Sequence, residues 1–232
     1  MMKELRHTQS QNFPIIPWLE NGDRLTREEF HRRYEAMPKN VKAELIKGVV
    51  YMASPVRVKN HGKPHARMMT ILGYYQMLTK GIDLLDNTTF IVNEYHEPQP
   101  DCILRIEEEC GGKSWINDAD YLEGSPELTV EIAASTASYD LHDKLEMYEQ
   151  KGVQEYIVWR VLDKQIDWFS LENGKYQRLS VNKQGIIESK VFTGLRLNTN
   201  ALLNDDLTQV LQDLQSGITS KSHQEFVKNL VK

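Results

Sequence analysis

Four residues of this 232-residue chain carry groups that could act together in a hydrolytic reaction: Glu44, Asp101, Glu131 and Lys144. Carboxylate oxygens are hard donors suited to Mg²⁺, which keeps several waters and takes only one or two carboxylates from a protein. An ion held that way lowers the pKa of a bound water and stabilises charge on a scissile phosphate. A lysine beside it could orient the attacking water or offset charge on the phosphoryl oxygens. Each residue alone has a plainer explanation. Glu131 could simply face solvent, Asp101 could form a turn after Pro100, Glu44 could be a strand-edge charge, and Lys144 could pair with Asp140 four residues earlier on a helix surface.

The elements that would position these groups follow from periodicity. Residues 127–160 read as strand, helix, strand. Thr129 and Glu131 alternate with Leu128, Val130 and Ile132, the period-2 pattern of a half-buried strand. Leu141, Leu145 and Tyr148 then recur at helical spacing, with Ser138 as N-cap, Asp140 in the first turn and Gly152 ending the helix. At 3.6 residues per turn, Lys144 sits about 60° from Leu141 and flanks the buried stripe.

Upstream, Thr26 and Glu29 form a capping box for a helix running to about residue 37, and residues 43–52 give two short strands around Gly48. Pro64 opens a helix with Met68, Ile71, Leu72 and Tyr75 on its apolar side. His61 and His65 are four apart, but Pro64 places His61 ahead of the helix, so two loop or surface histidines are expected. Residues 88–92 and 99–106 read as a hairpin whose second strand carries Asp101 at its start, and residues 107–125 as an irregular surface excursion. Asn173-Gly174 marks a hairpin turn, and residues 186–192 supply another strand. From Ala201, Leu203, Leu207, Val210, Leu211 and Leu214 predict one amphipathic helix that could cap the fold or serve a dimer interface. Ahead of the first helix, Pro14, Pro17 and Trp18 suggest an extended lead-in pinned by the indole.

Hydrophobic content of 40% and charged content of 26% fit a globular chain, and no apolar run approaches the ~20 residues of a membrane span, so no membrane association and a cytoplasmic location are expected. Cys102 and Cys110 have neither metal-cluster nor disulfide-scaffold spacing. A net charge of -5 argues against coating nucleic acid through a globally basic surface, while leaving a local basic groove open. There is no internal repeat, phosphate-loop glycine motif or nucleophile elbow.

In combined order, Gln99-Pro100-Asp101, Pro126 to Ala133 with Glu131, Asp140 with Lys144 and Tyr148, and Gly152 to Tyr156, together with Ala43 to Gly48 and His61, resemble the Uma-type restriction endonuclease family of the PD-(D/E)XK nuclease superfamily. The resemblance implies an α/β fold: a restriction-endonuclease-like mixed β-sheet flanked by helices, with an added β-hairpin and C-terminal helix. It implies residues 24–200 as the nuclease-like domain, between a lead-in over 1–23 and a helical appendage over 201–232. It further implies Mg²⁺, with Mn²⁺ as a substitute, held by Asp101 and Glu131 with the Ile132 carbonyl as a third ligand, and Lys144 as the catalytic lysine. Glu44 matches the family's early acidic residue, and DNA is the implied substrate. A homodimer is expected from the C-terminal helix and from the need to cut two strands. The parent motif places its lysine two residues after the second carboxylate, where this chain has Ala133, so the resemblance implies a lysine moved to the following helix. The alternative is a catalytically inactive binding module on the same fold; a two-carboxylate glycosidase is weaker because it leaves Lys144 without a role.

Overall fold

The computed structural model describes residues 16–230 apart from Ser54 and Ser135, so Pro14 lies outside the described residues. One parallel pairing governs the layout: β7 (Leu128–Ala133) and β8 (Glu155–Arg160) run side by side in the same direction, with Glu131 opposite Val158. Parallel neighbours cannot be joined by a tight turn, so the chain must cross a sheet face between them. It crosses through α3 (Ala137–Tyr139), a π-helical turn over Asp140–Lys144, and α4 (Leu145–Lys151). Gly152 ends this run at φ 85°, where its N–H returns to the carbonyls of Tyr148 and Glu149. Ser138 is not the N-cap; the cap position falls to Thr136, and Ser138 lies within the helix.

The main sheet has six strands in the order β10-β9-β8-β7-β4-β3, with β3 (Ile82–Asp86), β4 (Cys102–Ile106), β9 (Gln165–Glu172) and β10 (Lys175–Arg178). Its remaining pairings are antiparallel, so the sheet is mixed. Asn173 and Gly174 turn β9 into β10 with φ of 51° and 77°, the two positive values that a tight hairpin turn requires. This hairpin extends the main sheet.

All six residues of β7 are buried, which corrects the half-buried expectation: the alternation separates two cores. On one face Leu128, Val130 and Ile132 meet Met68, Leu72 and Tyr75 of α2 (Lys63–Met77). On the other, Ile103, Ala133 and Val158 pack with Met147, Tyr148, Tyr156 and Phe90. Glu131 therefore lies under the crossover helix, between strand and helix.

The partner of β4 is β3, in register Asp86↔Cys102, rather than residues 88–92. The latter segment crosses the sheet face: Phe90 is fully buried, its N–H donates to the Pro98 carbonyl, and that of Ile91 donates to Leu122. The excursion over 107–125 contains a small hairpin, β5 (Ser114–Ile116) with β6 (Leu122–Gly124), and β11 (Ile186–Glu188) stops earlier than expected and pairs with β12 (Arg196–Asn198).

A separate two-stranded sheet, β1 (Ala43–Ile46) with β2 (Val49–Met52), packs with α1 (Arg27–Glu35) through Phe30, Leu45 and Val50. Thr26 caps α1 by accepting from the Glu29 N–H at 3.4 Å. Leu19, not Trp18, anchors the lead-in: the indole is 67% exposed. The C-terminal segment is three helices, α5 (Thr199–Leu203), α6 (Leu207–Ile218) and α7 (Lys221–Leu230). The break comes where Asp206 caps α6 by accepting from the Gln209 N–H. Val210, Leu214, Ile218 and Leu230 join the same apolar cluster as β7. Among the described residues no helix is long and apolar enough to cross a membrane.

Candidate active site

β4 and β7 pair antiparallel with Cys102 opposite Val130, so one step along the register sets Asp101 opposite Glu131. Directly opposed residues point to the same face of a sheet. The crossover delivers Lys144 above them. Its Nζ lies 2.9 Å from Glu131 Oε1 and 3.0 Å from both carboxylate oxygens of Glu44, with Asp140 Oδ1 at 3.8 Å. Lys144 is the last residue of the π-helical turn, a wider turn that changes the phase of the residues following it. Glu44 comes from β1, which is tied to the segment before Asp101: Glu97 exchanges backbone hydrogen bonds with Leu45, and the Gln99 N–H donates to Glu44 Oε1 at 2.7 Å.

Further groups hold these four in place. The Tyr148 hydroxyl donates to Glu131 Oε1 at 3.1 Å, and the Ile132 N–H donates to Asp101 Oδ2 at 2.7 Å. His61 Nε2 lies 2.9 Å from Asp101 Oδ1, and His65 Nε2 lies 3.1 Å from both the Asp101 carbonyl and Asp86 Oδ1. The two histidines are thus half-buried and converge on Asp101, which corrects their expected placement as independent loop or surface residues. A π-helical turn over Val58–Gly62 runs directly into α2 and keeps residues four apart on one side. The i, i+4 spacing was the available signal. Tyr139, next to Asp140, places its ring 5.5 Å from Lys144 Nζ and stacks obliquely on Tyr51.

Burial alone would lower the Lys144 pKa, but Glu131, Glu44, Asp140 and Tyr139 outweigh it and raise it well above the ordinary value, so the ammonium stays charged. Burial pushes Glu131 upward; Lys144 opposes this, while Asp140, Glu44 and Asp101 add to it. Asp140 is pushed up to about 6, again chiefly by burial. Burial would raise Asp101 too, yet the His61 hydrogen bond and charge, the Ile132 N–H and Lys144 together hold it below the usual carboxylate value. Three carboxylates, Glu131, Glu44 and Asp140, therefore converge on a single lysine, with Asp101 and His61 beside them.

The side-chain exposures define an open side: 4% for Lys144 and 6% for Glu131, against 11% for Asp101, 20% for Glu44 and 28% for His61. A substrate would approach across Glu44, Asp101 and His61. Two cavities of about 400 and 430 Å³ lie elsewhere, and neither is lined by any of the four residues. Asp101 and Glu131 supply oxygen donors of the kind Mg²⁺ takes, and the excess of carboxylates over cations suits an added cation. Among the described residues no group of three or more His, Cys, Asp and Glu side chains is already arranged around a metal position. The fit is thus one of donor chemistry, carried by the two carboxylates.

A mixed sheet with opposed acidic residues on adjoining strands, covered by a crossover helix that brings a lysine, has the architecture of a restriction-endonuclease-like nuclease. The chain belongs to the Uma2 family, whose model, described as "Putative restriction endonuclease", matches residues 27–200. A crystal structure of a protein from Anabaena variabilis, described as a putative nuclease, has a similar fold, with a TM-score of 0.53 at 9% identity, covering 81% of this chain and 97% of that one. Comparison with curated proteins yields no match.

Proposed function

We propose that this chain is a Mg²⁺-dependent endonuclease that hydrolyses phosphodiester bonds in DNA. The observation that carries the reading is Lys144 Nζ at 2.9 Å from Glu131 and 3.0 Å from Glu44, on the face where Asp101 opposes Glu131. Asp101, Glu131 and the Ile132 carbonyl would hold the ion. When bound, it supplies an activated water and charge stabilisation at the scissile phosphate. The His61 and Ile132 contacts fix the Asp101 carboxylate, and the Tyr148 hydroxyl fixes that of Glu131. Lys144 carries three N–H donors; turning one from a carboxylate toward the attacking water or a phosphoryl oxygen orients the nucleophile or offsets developing charge.

Incubation of the protein with duplex DNA and Mg²⁺ or Mn²⁺, beside Asp101→Asn and Glu131→Gln variants of unchanged circular dichroism, tests the reading. Wild-type cleavage should exceed that of either variant on the order of 10²-fold or more. Equal rates would sink it.

A second reading, a catalytically inactive binding module, is favoured by Ala133 in place of the motif lysine and by the closed set of internal hydrogen bonds around Asp101. Calorimetric titration with Mn²⁺ separates the two. Heat lost in the Asp101→Asn variant supports the nuclease; no heat in the wild type supports the module.

A further inference from the structure

Four carboxylates at the site repel a phosphodiester, so a polyanionic substrate must be held by nearby cations that the fold has not already neutralised. Three basic side chains on the neighbouring segments are already neutralised: Lys47 pairs with Asp143 and Glu146, and Lys63 and Arg67 both pair with Asp205. Lys42, Arg57 and Lys59 are exposed and have no ion pair among the described residues. All three sit on the segments that carry the open-side residues Glu44 and His61. Lys42 directly precedes β1, two residues from Glu44, and accepts from the Ala53 N–H through its carbonyl. Arg57 and Lys59 flank the first residue of the π-helical turn that carries His61, and the Arg57 carbonyl accepts from the His61 and Gly62 N–H groups. Val56 and Val58, beside them, are 70% and 77% exposed, apolar groups in the midst of the charges.

We propose that Lys42, Arg57 and Lys59 form a basic lip that grips the backbone phosphates of duplex DNA beside the scissile bond. The assignment rests on the nuclease reading for its substrate and deepens it by naming the residues that hold that substrate. It also explains how a chain of net charge -5 can engage DNA: a local patch of unpaired cations does what the overall charge opposes.

Binding measured without divalent metal separates this lip from catalysis. Fluorescence anisotropy with a labelled duplex, from about 50 to 300 mM salt, gives the slope of log affinity against log salt, close to -0.9 per neutralised phosphate. Each of Lys42→Gln, Arg57→Gln and Lys59→Gln should reduce the magnitude of that slope by about 1 and weaken binding evenly across sequences, with the triple variant losing about 3. Lys164→Gln, in the turn between β8 and β9, should leave it unchanged. An unchanged slope in the triple variant, or wild-type protein that does not bind duplex, overturns the lip. Cleavage with an unchanged slope would refute the lip and leave the nuclease reading standing. Binding with the expected slopes but no cleavage would do the reverse.

Discussion

Lys144 is as deeply buried as Glu131, and an ammonium removed from water keeps its charge only where partners compensate for lost hydration. Removing one member of such a set leaves the others uncompensated, typically at a cost of about 3–5 kcal/mol. Lys144→Ala should therefore destabilise the protein by roughly that amount in urea unfolding, and a loss below about 1 kcal/mol would contradict the contacts described. Tyr148→Phe removes a hydroxyl donated to a buried carboxylate and should cost on the order of 1.5–3 kcal/mol while leaving Lys144 in place. The awkward Glu131 was legible in the sequence because strand alternation isolates it between apolar residues. The convergence of His61 and His65 on Asp101 was not. The i, i+4 spacing hinted at a shared side, but Pro64 gave a false boundary by opening the α-helix after a π-helical turn that is already helical.

At the scale of elements, the crossover helix is fixed by the parallel pairing of β7 with β8 and stopped by Gly152. The left-handed φ at Gly152 meets no crowding, since an added Cβ would have Ser125 Oγ at 3.8 Å as its neighbour, so only backbone strain opposes substitution. Gly152→Ala should cost about 1 kcal/mol in urea unfolding, and no measurable loss would contradict the left-handed cap. The hairpin bearing Glu44 depends on Glu97, which His31 Nδ1 meets at 2.8 Å while Arg27 approaches its other oxygen. The hydrogen bond to Glu97 raises the His31 pKa above 6.5, helped by the charges of Glu97 and Glu35 and opposed by burial and Arg27. A raised histidine contributes stability that is fully present below the unfolded pKa and lost as pH rises through the folded one. His31→Gln should accordingly lower the urea midpoint at about pH 5.5 and lower it less as pH rises through the raised folded pKa; a loss that does not change with pH would contradict the pairing. The edge strand β3 escaped sequence detection because its aspartates interrupt the apolar run. Residues 88–92 mimicked a strand because Phe90 and Val92 bury inward from a segment that crosses the sheet face.

For the whole molecule, periodicity made individual strands and helices legible and the family resemblance implied the mixed sheet flanked by helices, while the three-way split of the C-terminal helices was hidden by a leucine pattern that runs on across the Asp206 cap. Those helices share an apolar cluster with the sheet. Leu214→Ala should therefore cost about 2–5 kcal/mol, and a near-neutral effect would show that α6 does not complete this core. The proposed chemistry depends on one long-range placement, a lysine carried by the crossover helix to the carboxylates that Ala133 leaves without a neighbouring motif lysine. Lys144→Met keeps most of the aliphatic stem and removes the ammonium, its charge and its three N–H donors together. Its single-turnover cleavage of duplex DNA in saturating Mg²⁺, with folding verified by circular dichroism, tests that placement most directly. A rate reduced on the order of 10²-fold or more is the predicted result, and a rate equal to wild type would contradict the account.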